Sequence, residues 1–178
     1  MNKWLFLCFL IFGCSERVVH FVAPNTSFDQ YYTYGITNLK LNRQAPSAEA
    51  SHLFSIIELS IKNEMDRRGY TKNVLSPDLI ARYELIAVQQ SQPINNQYNY
   101  SPAMVNNYRT SEEYGLLLEL IDPASSKTIW QASVDLNKFD AKNRENTINT
   151  AVTRLFNTFQ YKAGSNDLHP ELDLSNKK

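Results

Sequence analysis

The stretch YGLLLELIDPASSKTIWQASVDLN, residues 114–137, decides the fold because it holds two strand patterns joined by a turn. Tyr114–Ile121 is almost continuously apolar, and Asp122–Lys127 is dense in residues that favour turns. Thr128–Asn137 then alternates between apolar and polar residues, with Trp130 on the apolar side, as in a strand with one buried face. The stretch therefore predicts an antiparallel β-hairpin.

Two amphipathic helices are predicted on either side of the strand patterns. The first follows Pro46, with Ser47 as its N-cap, and ends at Gly69, which can take the left-handed conformation. Its apolar residues recur at steps of three and four, at Ala50, Leu53, Phe54, Ile57, Ile61 and Met65. The second helix is predicted over Asn143–Phe159, with an apolar stripe of Ile148, Ala151, Val152, Leu155, Phe156 and Phe159.

Three further strands complete the predicted fold. Arg17–Val22 is β-branched, Ser27–Ile36 is aromatic and extended toward its end, and Leu79–Val88 alternates with Arg82 and Glu84 on its polar side. Because each helix has a single apolar face, both can cover the same side of one sheet. We therefore predict an α+β fold, a two-layer sandwich of a mostly antiparallel sheet with two helices on one face. The strand order does not follow from the sequence.

The N-terminal segment has the layout of an export signal. Lys3 precedes nine apolar residues, Trp4–Phe12, and Gly13 and Cys14 follow. The segment resembles a bacterial lipoprotein signal peptide with the lipobox 11–14, which implies cleavage after Gly13 and acylation of Cys14. As a helix the nine apolar residues span about 14 Å, too short for about 30 Å of hydrocarbon. A buried N-terminal strand is the structural alternative.

Composition limits the partners and the domain count. The 178-residue chain has 18 basic and 18 acidic residues and no basic stripe, which argues against a nucleic-acid partner. Signal removal leaves Cys14 as the one cysteine, so disulfides are excluded from the mature form. We predict a signal peptide over residues 1–13, a single lipid-anchored domain over 14–162 and a disordered tail over 163–178.

Several segments together resemble one family of bacterial lipoproteins. The segments are Phe28–Tyr34, Asp78–Tyr83, Leu116–Asp122 and Ile129–Ala132, in this order. They are similar to the domain-of-unknown-function 4136 group, over roughly Val18–Phe159. The resemblance implies an envelope lipoprotein with an α/β domain and supplies no catalytic residues.

A search for catalytic, metal and cofactor motifs gives no constellation. His20, His52 and His169 lie in different predicted elements, and the five glycines are scattered rather than gathered in a phosphate-binding loop. We therefore predict no metal, no cofactor and no catalytic residues. The weaker alternative is an envelope hydrolase that acts on cell-wall or glycan substrates through carboxylates such as Glu119 and Asp122.

The long connection over residues 89–112 is the candidate binding loop. It carries Tyr98, Asn99, Tyr100, Tyr108 and Arg109, which offer aromatic surfaces beside amide groups, a mixture that suits peptide or glycan. A flexible hairpin insertion is the competing interpretation. The predicted function is that of a non-enzymatic lipoprotein, bound to membrane lipid through acylated Cys14 and holding an envelope protein or glycan. Since Ser15 rather than Asp follows Cys14, the predicted location is the outer membrane, facing the periplasm. A periplasmic spacer is a further alternative.

Overall fold

The computed structural model of the chain describes residues 18–39, 47–93, 108–136 and 143–168. The predicted hairpin is confirmed by the pairing of residues 115–122 with 127–135, and it lies inside a six-stranded sheet. The elements in chain order are β1 (Val18–Val22), a 3₁₀ turn (Phe28–Gln30), β2 (Thr33–Asn38), α1 (Ala48–Arg67), β3 (Thr71–Lys72), β4 (Leu79–Pro93), β5 (Tyr108–Asp122), β6 (Lys127–Asp135) and α2 (Arg144–Phe156).

The sheet has the strand order β1-β6-β5-β4-β2-β3. Strands β4, β5, β6 and β1 pair antiparallel, whereas β2 pairs parallel with both β4 and β3. The parallel pairing of β2 and β4 needs a crossover, and α1 lies in that connection. The sheet is mostly antiparallel and accompanies two helices, so the predicted α+β fold is confirmed.

Alternation along the central strands separates a helix-covered face from an open face. Leu118 of β5 lies opposite Ala132 of β6 and Tyr83 of β4, and all three are buried beneath the helices. The next residue, Glu119, lies opposite Gln131 and Arg82 on the other side of the sheet. A β-bulge between Leu120 and Ile121 shifts the register near the β5–β6 turn. We call the side that carries Glu119 the open face.

The helices form as their sequences predict. The Ser47 side chain accepts a hydrogen bond from the Ala50 N–H, so the predicted N-cap is present. Helix α1 buries Ile57, Ile61 and Met65, and α2 buries its predicted stripe as far as Phe156 in the same core. The predicted helix ran to Phe159, which is also buried in this core but lies past the end of α2. At the centre Trp130 stacks on Phe156, 5.6 Å between ring centroids, and its indole N–H donates to the Thr158 hydroxyl at 3.2 Å. In the described part of the chain, no helix is long and apolar enough to cross a membrane.

A buried arginine ties the C-terminal ends of both helices together. The Arg68 side chain is fully buried and pairs with the Glu64 carboxylate, with Nη1 2.6 Å from Oε2. Its Nη2 donates to the Phe156 carbonyl at 2.7 Å, and its Nε donates to the Phe159 carbonyl at 2.9 Å. Phe156 ends α2 and Phe159 follows its last turn, so neither carbonyl accepts the i+4 hydrogen bond of a helix interior, although the Phe156 carbonyl also accepts from the Phe159 N–H at 2.9 Å.

The predicted bounds of the long loop were wrong. Gln89–Pro93 belongs to β4 and Tyr108–Glu112 belongs to β5, and these segments pair with one another up to Pro93 opposite Tyr108. The backbone pairing outlasts the apolar pattern because main-chain hydrogen bonds do not require apolar side chains. The connection between the strands is thus residues 94–107, and Tyr98, Asn99 and Tyr100 fall outside the described residues. The two-residue strand β3 was also missed, since it is too short to show a period.

The start of the predicted disordered tail was also wrong. The Ala163 N–H donates to the Arg68 carbonyl, and the Gly164 N–H donates to the Tyr31 carbonyl. Asn166 Oδ1 accepts from the Phe28 N–H at 2.6 Å, and Leu168 forms a bridge with Tyr161. Polar main-chain contacts dock this segment, which explains why hydrophobic periodicity did not reveal it. Residues 169–178 lie outside the described part of the chain.

Candidate functional site

A polar pocket lies at the end of the sheet where β1 stops and the β5–β6 turn begins. Its volume is about 470 Å³. Two loops line it, the 23–27 segment after β1 and the turn between β5 and β6, together with Gln30, Tyr31 and Lys127. We call this concavity the polar pocket. It joins parts of the chain almost a hundred residues apart because β1 pairs with β6.

Turn-forming residues build both walls of the polar pocket. Asn25 has a φ of 60° and Ser126 a φ of 57°, and these are the two residues other than glycine with positive φ in the described part of the chain. Asparagine tolerates this region better than most residues. The Asp122 carboxylate accepts from the Ala124 N–H at 2.8 Å and from the Ser125 hydroxyl at 2.7 Å, so it fixes the β5–β6 turn.

The hydrogen bonds around Asp122 keep it ionised. Burial acts to raise the pKa of Asp122, but hydrogen bonds from Ser125, Ala124 and Tyr31 lower it further than burial raises it. Burial and the nearby Asp122 charge raise the pKa of the Tyr31 hydroxyl, which lies 3.4 Å from the Asp122 carboxylate. At neutral pH the pocket therefore presents the Asp122 carboxylate and the neutral Tyr31 phenol, and the Lys127 side chain also lines it.

The chemistry of the polar pocket suits hydrogen bonding to a small polar ligand. The side chains of Asn25, Thr26, Ser27 and Gln30 offer amide and hydroxyl groups at its wall. Asp122 is already occupied by the turn and by Tyr31, so it holds the wall in place. The turn residues were recognised in the sequence, but the pocket was not, because the β1–β6 register that brings its walls together carries no local signal.

The two carboxylates considered for hydrolysis do not share a cleft. Glu119 lies on the open face and pairs with Arg82, whose Nη2 is 2.7 Å from the Glu119 Oε2. Asp122 comes three residues later in the same strand and contacts Tyr31 on the opposite side of the sheet. Because side chains alternate along a strand, an odd separation sends the two carboxylates to opposite faces. The arrangement does not bring them together on one substrate.

The β4–β5 ribbon is the second candidate site. Seven residue pairs, from Ala87–Tyr114 to Pro93–Tyr108, continue past the Gly115–Asp135 pair at which β5 leaves β6. Among the described residues, β2 pairs with β4 only as far as Tyr83. We call residues 87–93 and 108–114 the ribbon. Tyr108 and Arg109 of the predicted binding loop lie in it, opposite Pro93 and Gln92.

The remaining predicted sites are not brought together by the described structure. Gly13 and Cys14 precede the described residues, and His169 follows them. His20 lies in β1 and His52 in α1, two separate elements. Within the described ranges no group of three or more His, Cys, Asp or Glu side chains could hold a metal ion.

Comparison with known families confirms the predicted resemblance. The family model described as "Domain of unknown function (DUF4136)" matches residues 18–159, from the start of β1 to just past α2. No curated protein matches the sequence.

Several solved structures match the chain at low sequence identity, and the first of them resembles it in fold. A PDZ domain protein from Parabacteroides distasonis is 13% identical over 83% of this chain, with a TM-score of 0.56, and the chain spans 36% of that protein's length. The PelC dodecamer from Paraburkholderia phytofirmans is 12% identical, with 83% of this chain and 98% of that chain covered and a TM-score of 0.45. A minor lipoprotein from Acinetobacter baumannii is 8% identical, with 72% and 92% covered and a TM-score of 0.35.

Proposed function

Since the chain belongs to the family DUF4136, we propose that it is a lipoprotein of the bacterial envelope, anchored by acylated Cys14, whose domain binds another envelope component without catalysis. The family has no assigned function, so the proposal depends on the residues of this chain. The anchor follows from the N-terminal segment, and the binding role follows from the ribbon.

The anchoring proposal rests on the run from Lys3 to Cys14. A short apolar segment after one positive charge, followed by Gly13 and Cys14, provides a signal and an acylation site. Each methylene buried in the bilayer contributes about 0.8 kcal/mol, so a cysteine with two or more acyl chains stays bound where a single chain dissociates. Because Ser15 follows Cys14, we place the anchor in the outer membrane, with the domain in the periplasm.

Metabolic labelling with an alkyne analogue of palmitate tests the anchor. The native sequence should take up the label, and Cys14→Ala should lose it and leave the membrane fraction. Cys8→Ala is the matched control, because Cys8 lies inside the apolar run and should leave labelling intact. Label that persists in Cys14→Ala would rule out the proposed anchor. Separation of inner and outer membranes then tests the location, which a shift of Ser15→Asp to the inner membrane would support.

The binding proposal is carried by one observation, the extension of the ribbon past the sheet. A two-stranded hairpin alone is marginally stable in water, so the six residue pairs that follow the core-packed Tyr114, from Val88–Glu113 to Pro93–Tyr108, add little to the stability of the domain. The ribbon strand that begins at Tyr108 includes Arg109, and the connecting segment of the sequence holds Tyr98, Asn99 and Tyr100. Tyrosine and arginine are the residue types enriched at binding hot spots. We propose that the ribbon and its connection contact an envelope protein or glycan.

Crosslinking in living cells distinguishes the two candidate sites. A photoreactive amino acid at Tyr98 or Tyr100 should capture one specific envelope component, because these positions belong to the segment of the sequence that connects the two ribbon strands. The same amino acid at Gln30, in the polar pocket, tests the competing surface. The control is Leu75, which is 97% exposed at the opposite edge of the sheet. Specific capture from Gln30 alone would move the binding site to the pocket, and equal, diffuse capture from all positions would refute the ribbon as a binding element.

A further inference from the structure

We infer that the short tether between Cys14 and β1 holds the β1 edge of the sheet against the bilayer, with Val19 and Phe21 in contact with the lipid headgroup layer. The inference rests on the proposed acylation of Cys14 and goes beyond it, since an anchor by itself leaves the orientation of a domain open.

Covalent geometry limits the distance between the anchor and the sheet. Four Cα–Cα steps separate Cys14 from Val18, the first residue of β1, and they span at most about 14 Å. The headgroup region of one leaflet is about 5 to 7 Å thick. The start of β1 must therefore stay within roughly two headgroup layers of the acylated cysteine.

The part of the sheet that the tether brings to the membrane carries exposed apolar side chains. Val19 is 64% exposed and Phe21 is 50% exposed, although β1 belongs to the sheet. They lie opposite Ser133 and Gln131 of β6, so both point to the open face, away from the helices. Valine and phenylalanine gain free energy when they leave water, and a phenyl ring fits the boundary between headgroups and acyl chains. Because the tether keeps β1 close to the bilayer, we assign the lipid surface as the contact partner of Val19 and Phe21.

The ribbon excludes the orientation in which the strands stand upright on the membrane. Val18 lies opposite Val134, at the same end of the sheet from which the ribbon projects. Seven residue pairs extend about 23 Å, farther than the tether of about 14 Å. An upright sheet would thus push the ribbon into hydrocarbon, and the ribbon sequence holds Gln89, Gln92, Arg109 and Glu112, whose polar groups are costly there. The strands must instead run roughly parallel to the membrane surface, with β1 nearest the bilayer and the ribbon beside it.

Single-cysteine labelling of the acylated full-length protein tests the orientation. Cys8 leaves with the signal peptide and Cys14 is blocked by acylation, so a cysteine placed elsewhere can be labelled alone. Phe21→Cys and the control Leu75→Cys, at the opposite edge, would each carry an environment-sensitive fluorophore. Both proteins are reconstituted into vesicles of phosphatidylethanolamine and phosphatidylglycerol and floated on a density gradient.

The expected result is a blue-shifted emission at position 21, quenched by spin-labelled lipid and protected from iodide, with the opposite behaviour at position 75. A flexible insertion of about 15 residues between Ser15 and Glu16 should abolish the difference while flotation persists. Flotation with position 21 as accessible to iodide as position 75 would overturn the orientation and leave the anchor standing. Failure to float would overturn the anchor itself. Equal protection of position 21 in soluble Cys14→Ser protein without vesicles would assign the surface to a second copy and overturn contact with lipid.

Discussion

Arg68 shows how one buried charge can hold two helix ends. Its guanidinium donates to four acceptors, which are the Glu64 carboxylate and the carbonyls of Glu64, Phe156 and Phe159. The substitution Arg68→Ala removes all four hydrogen bonds. Arg68→Ala leaves the largely buried Glu64 carboxylate with the half-exposed Arg67 as its remaining cationic partner, and it removes the side-chain donors from three carbonyls. We expect Arg68→Ala to lower the free energy of unfolding by about 3–5 kcal/mol, measured by urea denaturation.

Arg67 is the matched control for this prediction. It also pairs with Glu64, at 2.7 Å, but its side chain is 48% exposed. An exposed ion pair is screened by solvent, so Arg67→Ala should cost less than about 1 kcal/mol. Equal costs for the two variants would show that the helix-end contacts of Arg68 do not stabilise the fold.

Asp78 makes the stability of the domain sensitive to acid. Burial acts to raise the pKa of Asp78, but hydrogen bonds from the Tyr32 N–H and from the hydroxyl and N–H of Thr33 hold it below its ordinary value. Because the pKa is lower in the folded state, the carboxylate contributes its full stabilisation above the unfolded pKa of about 3.9. That contribution is lost as the pH falls through the folded pKa.

The urea midpoint should therefore drop as the pH falls below about 4, and Asp78→Asn should flatten that drop while it lowers stability at pH 7. Asparagine keeps the shape of the side chain but cannot change its charge in this range. If the variant and the native protein lose stability in parallel below pH 4, other carboxylates are responsible. Asp66 and Asp122 are the first to consider, because their pKa values are shifted in the same direction.

Among the elements, the docked segment after α2 depends on Gly164. Its φ is 66°, and a Cβ atom there would overlap Cε1 of the Tyr32 ring. Both the backbone conformation and the contact penalise Gly164→Ala, so we expect it to lower the free energy of unfolding by about 1–3 kcal/mol. Tyr32→Ala removes the contact but not the backbone penalty, and in that background the glycine substitution should cost less. An additive double mutant would indicate that the segment is not docked against Tyr32 in solution.

An element can be predicted from the sequence when its hydrogen-bond partners are close along the chain, and it is missed when they are distant. Helix α1 was predicted with its cap because Ser47 and the periodic Ile57, Ile61 and Met65 are local signals. The segment of Ala163 and Gly164 was missed because its partners, the carbonyls of Arg68 and Tyr31, are distant in sequence. The same reasoning explains the polar pocket. Its turn residues were recognisable, but their meeting depends on the pairing of β1 with β6.

At the scale of the whole molecule, the strand order was the part that no local pattern could supply. The hairpin of β5 and β6 predicted one antiparallel pair, yet the parallel placement of β2 beside β4 depends on how α1 crosses the sheet. Likewise the apolar pattern of β4 ends near Val88, while its pairing continues to Pro93. The length of the ribbon, and with it the second candidate site, therefore emerged only from the three-dimensional pairing.

The connection between the ribbon strands should be removable without loss of the fold, because the ribbon extends away from the apolar core. Residues 94–107 connect Pro93 and Tyr108, which lie directly opposite one another, so a two-residue Asn-Gly turn can replace the connection without a change of register. The apolar core lies beneath the helices, and shortening a loop alters its closure entropy by only about 0.6 kcal/mol for each halving of length. The urea midpoint should therefore stay close to that of the native protein. Envelope capture should be lost, measured from a photoreactive amino acid at Arg109, which remains in the shortened chain. Persistent capture of the same component would place its contact on the paired ribbon rather than on the connection. A large loss of stability would show that residues 94–107 stabilise the core, which would contradict a role limited to binding.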